Sequence, residues 1–315
     1  MSVTFCIKNT ERKIMSPNEL LACSNGKLSQ FSIKEDHDNY QEIMNAPLNH
    51  FGVLLFGELG VSGRGSEISY DEQENSYDIR VNTPSTISDW HIALCFIENI
   101  ATHLQTNVID EHGTIYAPNN VDYDFMQDIN FGIKSILAHL KNEDSNSVIF
   151  SILRPIVINK KMANQILEAE DMAKEFSNML DYQLYHFDAF IASQMFFQKE
   201  NNEIFGHYVL TQDVVTILPY EHPPIIDITQ YNLEQKDITQ WQISLMTHKG
   251  DPNKEDDYQA HMLPYDVFLE RMPKNKCVFL DGHYMVIQLN RKELLQLVNP
   301  DKESGFFGKI KNLFQ

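Results

Sequence analysis

Cysteine is scarce. Cys6, Cys23, Cys95 and Cys277 are the only ones in 315 residues, and no two lie close in sequence. That excludes a zinc knuckle and a CxxC redox pair, and such sparse usage suits a reducing compartment. Positive charge is also short: 25 Lys and Arg stand against 44 Asp and Glu, a formal charge of −19. A field of that sign repels duplex DNA and anionic lipid on average, so the expected partner is another protein, basic in character, and not nucleic acid. Solubility alone would also account for the charge. No apolar run approaches the ~20 residues that a membrane span needs. The opening Met1-Ser-Val-Thr-Phe-Cys-Ile-Lys-Asn9 reads as a strand and not as a signal peptide. The expected location is the cytoplasm.

Phosphate-loop motifs are missing too. Gly57, Gly60, Gly63 and Gly65 follow the apolar strand Gly52–Phe56, where such a loop would lie. No Lys-Ser/Thr pair follows at the Walker position, and the next element reads as a strand where a dinucleotide fold needs a helix. The glycines are therefore read as turn residues. The acids Asp122, Asp124 and Asp128 match no calcium loop, and the run Gly250–Asp257 lacks the glycine and closing glutamate of an EF-hand. No metal or cofactor is expected.

What is present is the material of a globular α+β protein. Hydrophobic residues make up 43% of the chain, and its length allows two domains. Val3, Phe5 and Ile7 alternate on one face of a first strand. Glu67–Tyr70 and Tyr77–Val81 form a hairpin around Asp71–Asn75. After Pro84, with Ser85 or Ser88 as cap, Trp90, Leu94, Ile97, Ala101 and Leu104 make the 3.6-residue stripe of a long helix. A second helix carries Phe125 to Leu140, and a third runs from Lys161 to about Leu180. Ile238–His248 alternates so that Trp241, Ile243 and Leu245 point inward, and Asp281-Gly282 turns a late hairpin. Lys141–Ser147 is polar and short and marks the expected boundary. The expected plan is a 1–143 domain, a 144–298 domain and a 299–315 tail. Its sheets are largely antiparallel with helices packed on one face, in two subdomains.

Two sets of polar residues could carry chemistry. His91 and Cys95 are four apart on the long helix, a spacing that suits a nucleophile and its base. No third orienting group is visible, so a small thiol beside a partly exposed histidine is the simpler reading. His186 and Asp188 would share a face if they lay on a strand, and His207 and Asp213 follow among aromatics that could line a pocket or fill a core.

Three phrases carry a family resemblance: the opening Met1–Asn9, Arg154-Pro-Ile-Val157, and Gly206-His-Tyr-Val-Leu-Thr-Gln-Asp-Val-Val-Thr-Ile-Leu-Pro-Tyr220. With these the chain resembles uncharacterised, mostly Gram-positive bacterial proteins classed as a domain of unknown function. The likeness runs to about Leu297. It implies a bacterial cytoplasmic protein and brings no activity or site residue with it.

Beyond Pro300 the chain changes character. Phe306, Phe307, Ile310, Leu313 and Phe314 recur at helical spacing with Lys309 and Lys311 among them. Such a stripe buries itself on its own domain, in a partner groove or at a membrane interface; two lysines favour protein over lipid. The functional expectation is a non-enzymatic binding or accessory protein acting through protein–protein contacts, with this tail as one contact. The alternatives are a hydrolase-like or metal-dependent enzyme whose site gathers distant residues, and a regulatory domain that binds a small ligand.

Overall fold

Val3, Phe5 and Ile7 alternate with less buried neighbours, and the strand they build, β1 (Ser2–Lys8), turns all three into a core. The computed structural model describes residues 2–35, 38–140, 146–199, 202–226, 233–250, 254 and 257–299. The fold is mixed α+β with mostly antiparallel sheets. The chain divides into two compact units, Met1–Phe187 and Asp188–Gln315.

In the first unit β1 is followed by α1 (Pro17–Ala22), β2 (Ser29–Gln30), α2 (Tyr40–Asn45), β3 (Leu54–Gly57), β4 (Ser66–Asp71), β5 (Ser76–Asn82) and α3 (Ile87–His103). Then come β6 (Val108–Asp110), β7 (Ile115–Tyr116), α4 (Met126–His139), β8 (Ser147–Phe150), β9 (Pro155–Ile158), α5 (Lys160–Glu168) and α6 (Met172–Tyr185). Seven strands form an antiparallel sheet in the order β2-β3-β4-β5-β1-β6-β7, so β1 lies between β5 and β6. The hairpin β4–β5 pairs Ile68 with Ile79. The stripe of α3 packs against this sheet: Trp90, Ala93, Phe96, Ile97, Ile100 and Ala101 are buried. Each large side chain among them contributes about 1.5–3 kcal/mol before ordering costs.

Two expectations are corrected here. The cap of α3 is Thr86, neither Ser85 nor Ser88, because Asp89 three residues on completes a capping box with it. The single helix expected from Lys161 is two. It breaks after Glu168, and the Asp171 side chain accepts from Lys174 N to start α6. That second helix runs to Tyr185 and carries Tyr182. The expected 143/144 division does not coincide with the compact units. Ile149, Ile156 and Ile158, with Phe176 and Leu180, belong to the same core as Phe5 and Trp90.

In the second unit the elements are β10 (Phe190–Ile191), β11 (Met195–Gln198), β12 (Ile204–Thr211), β13 (Thr216–Pro219), β14 (Ile238–His248), β15 (Tyr258–Pro264), α7 (Tyr265–Arg271), β16 (Cys277–Phe279), β17 (Tyr284–Ile287) and α8 (Arg291–Val298). They build two four-stranded sheets, β11-β12-β14-β15 and β10-β13-β17-β16. β12 runs parallel to β14, and the other pairs in that first sheet are antiparallel. Trp241, Ile243 and Leu245 face the core, as their alternation predicts, and meet Phe268 of α7 and Leu294 of α8 there. Gly206 lies under the indole of Trp241, where no Cβ fits. The Asp281-Gly282 turn joins β16 to β17, and the Asp281 carboxylate accepts from the backbone N–H groups of His283 and Tyr284.

Candidate functional site

The glycine loop is structural, and the reason is the buried carboxylate of Asp89. Its Oδ2 accepts from Arg64 N at 2.9 Å, Thr86 N at 3.0 Å and the Thr86 hydroxyl at 2.9 Å, while Oδ1 accepts from Gly65 N at 2.9 Å. Burial pushes this carboxyl above the usual carboxylate range, and the four donors pull it back. Gly63 passes so close to α3 that an added Cβ would fall 2.7 Å from the Thr86 methyl, and Gly65 has φ +67°. The Arg64 guanidinium donates to the carbonyls of Phe150 and Pro84, and burial lowers it to about 10 against the pull of Asp89. The backbone donors of Arg64 and Gly65 in this loop end on the protein's own carboxylate.

The helix that Asp89 opens carries His91, Cys95 and Asn99 at successive four-residue steps, and all three line one cleft of about 200 Å³. Leu28, Ile92 and Phe96 supply its apolar wall, and Lys27 and Glu58 bring opposite charges to it from other segments. Cys95 is exposed, and the Asn99 amide reaches its Sγ at 3.8 Å. The His91 ring stands edge-on to Phe125 at 5.3 Å. Sequence reasoning found His91 and Cys95 but missed Asn99, which continues the same four-residue ladder.

Of the other candidate set, His186 lies in the first unit and Asp188, His207 and Asp213 in the second. His186 is the C-cap of α6, stacked on Tyr182 at 4.2 Å, so it is not on a strand with Asp188. Asp188 begins the second unit. His207 is buried midway along β12, with Phe197 edge-on at 5.8 Å, and burial lowers its pKa. Asp213 lies in the turn after that strand, at φ +62°, accepting from the Gln212 amide. About 13 Å of strand separates His207 from Thr211 alone. Among the described residues no group of three or more His, Cys, Asp or Glu could hold a metal ion.

His207 shares the other face of its sheet with Phe205 and Val209 on β12, opposite Tyr208 and Leu210, and the middle of that face is buried at Phe205, His207 and Ser244. Register places Met195 and Phe197 of β11, Gln242, Ser244 and Met246 of β14, and Ala260 and Met262 of β15 on that same outer face. Phe197 is 55% exposed and Met262 61%. The helices α7 and α8 pack on the other side, with Trp241. β15 ends the sheet, so among the described residues one side of its backbone has no neighbouring strand. The alternation of this sheet was read for its inward residues, and the same register gives the outward ones.

Phe306, Phe307, Ile310, Leu313 and Phe314 lie outside the described residues. No helix among the described residues is long and apolar enough to cross a membrane. The profile of a family described as "Domain of unknown function (DUF4299)" matches residues 2–297. No curated protein and no solved structure matches the chain.

Proposed function

The chain belongs to this family of unknown function, and from that premise we propose that it acts by binding another protein, through the outer face and free edge of the β11–β15 sheet, and not by catalysis. The observation that carries the reading is Phe197 and Met262, large apolar side chains more than half exposed on β11 and β15, the two edge strands of that sheet. Large apolar side chains exposed at a sheet edge suit a contact, and an edge strand such as β15 can add a partner's strand by backbone hydrogen bonds alone. The net charge of −19 favours a basic partner, and the work is assigned to the bacterial cytoplasm. The apolar stripe Phe306–Phe314 provides a second contact on the same partner.

The test uses the full chain with Phe197→Asp and, separately, Met262→Glu. Both side chains are exposed, so melting should stay within about 1–2 °C of the parent. In-cell cross-linking with quantitative mass spectrometry should show one basic protein whose yield falls at least tenfold in both variants. A cross-linked set unchanged by either substitution refutes the proposal. Sedimentation of the pure protein identifies a second copy as the partner if self-association is present and lost in both.

A further inference from the structure

The cleft on α3 lies apart from the sheet face just described and has its own chemistry. We propose that it is a covalent docking site for small zwitterionic disulfides, in which Cys95 takes up an amino-acid-sized thiol as a mixed disulfide. Three observations converge on it. The cleft holds an exposed thiol with a histidine one turn before and an amide one turn after, the amide reaching Sγ at 3.8 Å. Its volume of about 200 Å³ falls below the ~300–1,000 Å³ of drug-sized pockets, which suits a group the size of one amino acid. It also carries one charge of each sign, Lys27 and Glu58, and neither is ion-paired among the described residues. A zwitterion offers a carboxylate to Lys27 and an ammonium to Glu58 while its apolar side meets Leu28 and Phe96.

The other three thiols sharpen the assignment. Cys6, Cys23 and Cys277 are only partly accessible, and burial pushes each of them up, which lowers its thiolate fraction. Cys95 is the exposed one. In the step itself the Cys95 thiolate attacks one sulfur of the disulfide along the S–S axis. The S–S bond breaks, a new Sγ–S bond forms, and the departing thiolate takes a proton from water. The disulfide is the oxidant and is reduced to one free thiol.

The experiment treats the full-length protein with cystine or with neutral 2-hydroxyethyl disulfide and follows intact mass, with peptide mapping of the adduct. Each rate is divided by that of a small reference thiol. One adduct on Cys95 is expected, with cystine favoured about fivefold, the size of one exposed ion pair. Lys27→Glu should remove that preference while leaving the neutral reagent's rate within twofold. Cys95→Ser should abolish the adduct. Labelling of another cysteine first, or a cystine ratio no higher than that of the reference thiol, overturns the proposal. So does an unchanged ratio in Lys27→Glu.

Discussion

Replacing Asp89 by alanine should cost the first unit about 4 kcal/mol. The substitution strands three backbone donors, the N–H groups of Arg64, Gly65 and Thr86, which all end on this one carboxylate. A buried donor left without an acceptor costs about 1–3 kcal/mol. Relief of the carboxylate's own desolvation offsets part of the sum, since burial already pushes that group up. Asp89→Asn keeps the shape and one acceptor oxygen but turns an NH₂ toward donors, so it should cost less, about 2–3 kcal/mol. The chain offers a clean probe: it has two tryptophans, with Trp90 in the first unit and Trp241 in the second. In a Trp241→Phe background, urea unfolding followed by fluorescence reports on Trp90 alone. With a slope of about 2 kcal/mol per molar urea, the midpoint should fall by ~2 M for Asp89→Ala. A loss below about 1 kcal/mol in both variants would refute the account of the glycine loop as a cradle for this side chain.

Three further outcomes follow from the second unit. Gly206→Ala drives a methyl into the indole of Trp241 and should cost about 1–3 kcal/mol by overpacking, read by Trp241 fluorescence on denaturation; no loss would mean the ring can move. The folded pKa of His207 is depressed by burial, so the unfolded chain binds the extra proton. Stability from this group is therefore complete above about pH 6.5 and is lost as pH falls through the folded value. His207→Gln should flatten the slope of melting temperature between pH 7 and 5, and an unchanged slope sinks the argument. Asn290→Ala removes the side chain that accepts from Glu293 N at the start of α8 and should cost about 1 kcal/mol, measured as a midpoint shift.

Much of the fold could be read from neighbours along the chain, because strand alternation and helix caps are local. Val3, Phe5 and Ile7, the β4–β5 hairpin and the inward set Trp241, Ile243 and Leu245 all stand as their spacing predicts. The break between α5 and α6 was hidden because the apolar period runs through Glu168–Asp171 without glycine or proline, and one capping aspartate decides it. Thr86 outranks Ser85 as cap because its partner, Asp89, is also held by Arg64 and Gly65 from a distant segment. The cleft was half legible. His91 and Cys95 share a helix, but Lys27 and Glu58 come to it from separate loops, and no spacing rule links them. The second face of the β11–β15 sheet was present in the alternation, yet nothing local tells that Phe197 and Met262 at its edges stay exposed while His207 between them is buried.

The position of β1 has a consequence for biosynthesis. Both of its neighbours in the sheet, β5 and β6, come later in the chain, at Ser76–Asn82 and Val108–Asp110. At about 5–20 residues per second, ~100 further residues take roughly 5–20 s to translate. Until β5 is made neither side of the backbone at Val3, Phe5 and Ile7 can be matched, and until β6 is made only one side can. A ribosome-associated chaperone that recognises short apolar stretches has its natural client there, and slowing translation ahead of residue 110 should lengthen that engagement.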